Sequence, residues 1–214
     1  MQAPKRPYCP RCQRPQASCI CRWIARVAIR TEVLILQHPM EVRQAKGSAR
    51  LLQLSLPNSR LYVGESFERD LLRESLFEPF PPDRPDCMIR PVLLYPDDGN
   101  STAPLWEPEK AGVSGLLRHR LVVLDGTWRK SLRMLHANPM LQKLPRLVLR
   151  EPPPSIYRIR KAHRPEQLST FEATCQALLQ MGESATQIDA LLAAFAGFVE
   201  QQQSYMDRGS RDTD

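Results

Sequence analysis

Apolar residues fall in short clusters along this chain, and their spacing changes type from one cluster to the next. Residues 31–37 (TEVLILQ) form a compact β-branched and apolar run that predicts a buried strand, ended by His38-Pro39. Residues 60–63, 91–95 (PVLLY), 120–124 (RLVVL) and 147–149 predict four further strands. Helical spacing lies between them. Residues 41–54 carry Val42, Ala45, Ala49 and Leu52 toward one face, residues 70–77 repeat a shorter pattern, and residues 127–136 set Leu132 and Leu135 on one face. Phe80-Pro81-Pro82 and Pro96-Asp97-Asp98-Gly99 are breaks, and residues 96–117 read as a long loop or a short helix near 107–117.

Toward the C-terminus, Ser169-Thr170-Phe171-Glu172 has the Ser-x-x-Glu form of a capping box and opens a helix to about Met181. Ser184-Ala185-Thr186-Gln187 starts a second helix, with Ile188, Leu191, Leu192, Phe195 and Phe198 on one stripe and fraying expected from about Tyr205. Buried strands alternating with helices predict an α/β fold with a mostly parallel sheet.

Residues 1–26 follow neither period and are too short and polar to build a core. They hold Cys9-x2-Cys12-x6-Cys19-x-Cys21. Tetrahedral zinc needs four soft donors, and a Cys-x2-Cys turn supplies two of them. Metal binding would then supply the folding energy of a small zinc knuckle formed by Cys9, Cys12, Cys19 and Cys21. Disulfides or free thiols are the other readings, the first disfavoured in a cytosolic setting. Cys175 falls inside a predicted helix and reads as core, and none of the histidines at 38, 119, 136 and 163 is spaced as a metal ligand. The organisation expected is a four-cysteine zinc-binding segment over residues 1–26, a main domain over 27–205 and a flexible tail over 206–214.

Charge sharpens this outline. The net formal charge is +7, and residues 1–30 contain seven basic side chains and no acid. Residues 118–164 hold twelve basic and two acidic side chains, an excess hidden in the total by acidic flanks. Arg outnumbers Lys 24 to 6. Arginine suits bidentate phosphate contacts and base stacking, so nucleic acid is a reasonable partner, with a generic basic protein as the alternative. No apolar run approaches the ~18 residues of a membrane span, and no apolar stretch follows the basic N-terminus as in a signal peptide. A cytoplasmic protein is expected.

The segment Leu121-Val122-Val123-Leu124-Asp125-Gly126-Thr127-Trp128 runs from an apolar strand directly into a helix. An Asp at the C-terminal end of a parallel strand lies where open α/β sheets hold ligands, although the same spacing also suits a helix cap. Gly126 permits close backbone approach, Thr127 is a candidate cap, and Trp128 is either core or a stacking platform.

Asp-Gly-Thr-Trp after an apolar strand resembles the signature of the DTW-domain family, whose members are tRNA-uridine aminocarboxypropyltransferases. The cysteine cluster is similar to the family's own. So are Ile35-Leu36-Gln37-His38-Pro39-Met40-Glu41, Leu94-Tyr95-Pro96, Ser155-Ile156-Tyr157-Arg158-Ile159-Arg160-Lys161 and Leu168-Ser169-Thr170-Phe171-Glu172-Ala173. The resemblance runs from about Cys9 to Leu192, with one departure at Lys46-Gly47-Ser48, where the family pattern has Asn-Thr.

The resemblance implies a SPOUT-like fold with a C-terminal trefoil knot, S-adenosylmethionine as donor, and tRNA rather than DNA as partner. It implies transfer of the 3-amino-3-carboxypropyl group to N3 of a uridine, with methylthioadenosine released. The alternatives are a SPOUT-like RNA methyltransferase, the same transfer to another RNA, or a zinc-containing RNA-binding protein without activity. Asp125 is the implied general base. The implied donor-binding residues are Leu94, Tyr95, Pro96, Leu124, Gly126, Thr127, Trp128, Ser155, Tyr157 and Arg160. Tyr157 and Trp128 would stack on adenine or uracil, with a core role as the alternative, and Glu172 reads as half of a capping box. Arg22, Arg129, Lys130, Arg133, Arg158 and Lys161 would hold RNA. The oligomeric state is not given by the sequence.

Overall fold

The computed structural model of the chain describes residues 7–80, 87–97, 99, 102–108, 117–157 and 168–211, the side chains of 208–211 excepted. β1 (Glu32–Gln37) is buried at every position, as its unbroken apolar run requires of a strand covered on both faces. It pairs in parallel with β2 (Ser59–Val63) on one side and with β4 (Leu117–Asp125) on the other. β3 (Met88–Leu94) flanks β4, and β5 (Arg146–Leu147) flanks β3, so the five-stranded sheet has the order β2-β1-β4-β3-β5.

Successive strand residues point to opposite faces. Val33, Ile35, Leu121 and Val123 pack with α1 (Ala49–Ser55), α5 (Thr170–Gln180) and α6 (Ala185–Arg211). Leu34, Leu36, Val122 and Leu124 pack with α2 (Arg69–Phe77), α3 (Trp128–Ala137) and α4 (Pro139–Gln142). The result is a sheet between two helical layers.

The N-terminal end of the central pair is closed by a buried ion pair. Glu32 and Arg120 face each other in register across β1 and β4 and are almost fully buried. Arg120 Nε donates to Glu32 Oε2 at 2.9 Å and Nη1 to the Ser75 carbonyl at 2.6 Å, while Nη2 reaches Glu32 and the Glu78 carbonyl. The Phe80 ring covers the guanidinium at 3.8 Å. Each charged group is met by partners on several sides, which is what a buried charge needs.

The other end of the pair is open. β1 leads to β2 on one side, and β4 leads to β5 on the other, beyond β3. Neighbouring strands whose connections leave in opposite directions form a switch point, with a crevice beyond their C-terminal ends. Gln37-His38 and Asp125-Gly126 line that crevice.

Two expectations change. The helix expected over 41–54 is helical only from Ala49, after a short 3-10 turn at Pro39–Glu41. A helix there would need the carbonyls of residues 45–47. Arg14 instead donates to Ala45 O at 2.5 Å and Gly47 O at 2.6 Å, and Tyr157 Oη donates to Lys46 O. At the other end, α6 continues to Arg211 instead of fraying near Tyr205. Tyr205 Oη donates to the Ala17 carbonyl at 2.7 Å, and Gln201 Nε2 donates to Tyr205 Oη at 2.8 Å, tying the last turns to the N-terminal segment. The possible helix near 107–117 lies mostly outside the described residues.

Candidate functional site

Asp125 ends β4 with 7% exposure, and its carboxylate is held from two directions. Gln37 Nε2, its register partner on β1, donates to Oδ2 at 2.8 Å. Thr170 Oγ1, the first residue of α5, donates to Oδ1 at 2.6 Å. The Asp125 carbonyl accepts the His38 N–H at 2.9 Å. The carboxylate does not cap α3: Thr127 holds the N-cap position, without a side-chain cap bond. It spans the switch point and is aimed by two neutral donors.

Two cavities adjoin at Thr170, the residue whose hydroxyl donates to this carboxylate, and Asp125 lines the second of them. One, of about 350 Å³, lies beyond the ends of β4, β3 and β5 and is walled by Leu94, Tyr95, Pro96, Leu124, Gly126 and Trp128 from the predicted set. Leu147, Leu149, Pro152, Leu168 and Ala173 complete its apolar surface. Trp128 is 54% exposed and stacks on Tyr95, with centroids 5.4 Å apart, so one of its faces remains open. The volume lies in the range of small-molecule sites. The second cavity, of about 290 Å³, is polar and is lined by Asp125, Thr127, Lys130, Glu41, Gln44 and Tyr157 among others. Thr170 borders both cavities.

Other predicted residues stand elsewhere. Tyr157 is buried, with its ring 5.4 Å from Phe195 and its hydroxyl on the Lys46 carbonyl. It therefore shapes the polar cavity rather than the aromatic rim. Ser155 Oγ donates to Glu172 Oε2 at 2.9 Å, and Ile156 N–H donates to Glu172 Oε1 at 2.7 Å. Glu172 also completes the capping box with Ser169, so one buried carboxylate starts α5 and anchors the 155–157 loop. Arg129 and Arg133 are exposed on α3, whereas Lys130 Nζ donates to Glu41 Oε1 at 2.7 Å. Arg22 lies over the Trp23 ring at 4.5 Å. Arg158, Arg160 and Lys161 lie outside the described residues.

The four N-terminal cysteines converge. Their sulfurs lie within 4.8 Å of one another, with Cys9–Cys21 at 3.6 Å and Cys12–Cys19 at 3.7 Å, and none is in a disulfide. Bonds of ~2.3 Å to a tetrahedral zinc give sulfur–sulfur edges of about 3.8 Å, so the donor set fits that ion. Backbone N–H groups of Cys12 and Arg11 pull the Cys9 thiol down to about 6, while burial and the neighbouring thiols push Cys21 up to about 12. The knuckle docks on α6. Trp23 packs directly on Gly197, where an added Cβ would collide with the indole ring, and Trp23 Nε1 donates to Gln201. Arg14 joins the knuckle to the 45–47 loop of the polar cavity.

Sequence reasoning missed Gln37, Thr170 and Glu41 as site residues. Gln37 is the polar end of an apolar strand run, which was a usable signal. Thr170 was hidden inside the capping-box motif, and Glu41 inside a helical pattern that does not form.

Fold and site together define an open α/β protein with a ligand crevice at a switch point between parallel strands. The DTW-domain family matches residues 6–203, and the chain belongs to that family. It is similar to tRNA-uridine aminocarboxypropyltransferase 2 of Drosophila melanogaster, 29% identical over 178 residues that cover 81% of this chain and 66% of the relative. The Macaca fascicularis protein of the same name is 30% identical, covering 82% of this chain and 57% of the relative. tRNA-uridine aminocarboxypropyltransferase A of Arabidopsis thaliana is 31% identical over 64% of this chain and 53% of its own length. The chain thus spans between about half and two thirds of these relatives. No solved structure shows a significant match. No described helix is long and apolar enough to cross a membrane.

Proposed function

We propose that this protein transfers the 3-amino-3-carboxypropyl group of S-adenosylmethionine to N3 of a uridine in tRNA. One observation carries the reading: the family's Asp125-Gly126-Thr127-Trp128 motif forms the boundary between an aromatic-rimmed apolar cavity and a polar one. The apolar cavity suits the adenosine of the donor, with Tyr95 and Trp128 against the base. Asp125 accepts the N3 proton. N3 then bonds to the γ-carbon as the carbon–sulfur bond breaks, and the bonding pair goes to sulfur, leaving neutral methylthioadenosine. The bonds from Gln37 and Thr170 orient the carboxylate. Alignment of N3 with the γ-carbon contributes up to ~7–11 kcal/mol in favourable cases.

Arg129 and Arg133, exposed on α3, together with Arg22, Arg158 and Lys161, are the residues that hold tRNA, and Arg160 contacts the donor. Lys130 belongs to the same basic segment. Cys9, Cys12, Cys19 and Cys21 hold a structural zinc. Four thiolates close its shell, so it takes no part in the chemistry. The SPOUT-like knot enters this proposal through the family resemblance alone. A cytoplasmic location accords with a tRNA substrate.

The test is direct. The protein is incubated with bulk tRNA and S-adenosylmethionine, and the digested nucleosides are weighed. A uridine heavier by one aminocarboxypropyl group is expected; a gain of one methyl group would refute the reading. Replacing Cys9 and Cys12 with Ser should release zinc in elemental analysis, and unchanged zinc content would remove the knuckle.

A further inference from the structure

The polar cavity contains an ion pair with capacity to spare. Glu41 comes from the turn after β1 and Lys130 from the first turn of α3, so they meet from opposite sides of the crevice. Their side chains are only 10% and 18% exposed, and Nζ lies 2.7 Å from Oε1. A sheltered ion pair loses much of its hydration, which a structural pair recovers through further hydrogen bonds. The Glu32–Arg120 pair does recover it, through the Ser75 and Glu78 carbonyls. The Glu41–Lys130 pair shows no such further protein bonds among the described residues. Among the described residues, Glu41 Oε2 accepts no hydrogen bond and the Lys130 ammonium makes one of the three it can donate. Both side chains line the cavity that adjoins the apolar one across Thr170, and Asp125 lines the same cavity as they do.

A ligand matching this pattern carries an ammonium and a carboxylate on one carbon. A neutral imide such as uracil would be desolvated against both charges while neutralising neither. We propose that Glu41 and Lys130 form a clamp for the α-amino-acid end of the donor, Glu41 taking the ammonium and Lys130 the carboxylate. This rests on the reading above that the donor is S-adenosylmethionine. With adenosine in the apolar cavity and the amino-acid end in the polar one, the bond between sulfur and γ-carbon passes Thr170, where the two cavities adjoin, on the way to the side lined by Asp125. The γ-carbon, and not the methyl group, then lies beside the proton acceptor. The clamp thereby selects which of the donor's groups is transferred.

The experiment is calorimetric titration of the full chain with S-adenosylmethionine and, separately, with methylthioadenosine, which lacks the amino-acid end. Glu41→Gln and Lys130→Met should weaken S-adenosylmethionine by about 10- to 100-fold, as expected for lost charged hydrogen bonds. Methylthioadenosine affinity should stay within about threefold, which also shows that the variants fold. Lys130→Arg keeps the charge and should restore most of the donor affinity. Equal weakening of both ligands would overturn the clamp. So would unchanged S-adenosylmethionine affinity, whether or not tRNA binding falls. If the unsubstituted protein binds neither ligand, the donor assignment itself fails, an outcome distinct from a failure of the clamp alone.

Discussion

β1 and β4 run side by side for six residue pairs, and each end of the pair buries a carboxylate in a different way. At the N-terminal end Glu32 faces a guanidinium that is itself hydrogen-bonded and covered by Phe80. At the C-terminal end Asp125 is held by an amide and a hydroxyl and lines a polar cavity. The first arrangement neutralises the charge and fixes it. The second fixes the geometry through an amide and a hydroxyl that reach the carboxylate from the end of β1 and the start of α5. Position in the sheet explains the division. Strand C-termini open onto the switch-point crevice, whereas the N-terminal end is closed by α2 and the chain that follows it.

Substitutions at the two ends should therefore fail in different assays. The largest effect is expected from Asp125→Ala, with transfer falling by about 10²–10⁴-fold while tRNA affinity in filter binding stays nearly unchanged. Wild-type turnover in that variant would place the chemistry elsewhere. Next, Arg120→Met strands Glu32 in the core and should cost about 3–5 kcal/mol in urea denaturation. Adding Glu32→Leu to that variant should recover most of the loss, and a double variant as unstable as the single one would show that the pair acts as more than a neutralised unit. The smallest change is Thr170→Val, which removes one donor from Asp125. Turnover should fall about tenfold, the value of one charged hydrogen bond, with little change in the denaturation midpoint. A loss of stability larger than the loss of rate would make Thr170 a structural residue like those around Glu32.

Features set by local sequence were legible in advance. The strands announced themselves as apolar runs, and the capping box at Ser169 and Glu172 forms as its spacing requires. Asp125 was legible from its place at a strand end. Its partners were not, because Gln37 lies 88 residues away and Thr170 lies 45 residues away. Residues 41–48 were misread for a similar reason: their helical periodicity is real, but distant groups on Arg14 and Tyr157 take the carbonyls a helix would use. Tyr157 was read as a stacking residue because a motif gives residue type without direction. Glu172 exceeded its motif, since the loop it anchors is brought to it only by the fold.

The docking of Trp23 on Gly197 and Gln201 joins the beginning of the chain to its last helix. The ribosome makes residue 23 long before residue 201, at a pace of roughly 5–20 residues per second. For several seconds or more the cysteine segment is therefore exposed with nothing to rest on. Its sulfurs are available for metal during that interval, while the surface that will cover Trp23 does not yet exist. Seating of the knuckle is a late event in the life of each new molecule, and a chain truncated before Ala185 would keep all four cysteines and the Asp125 motif yet lack the helix on which the knuckle rests.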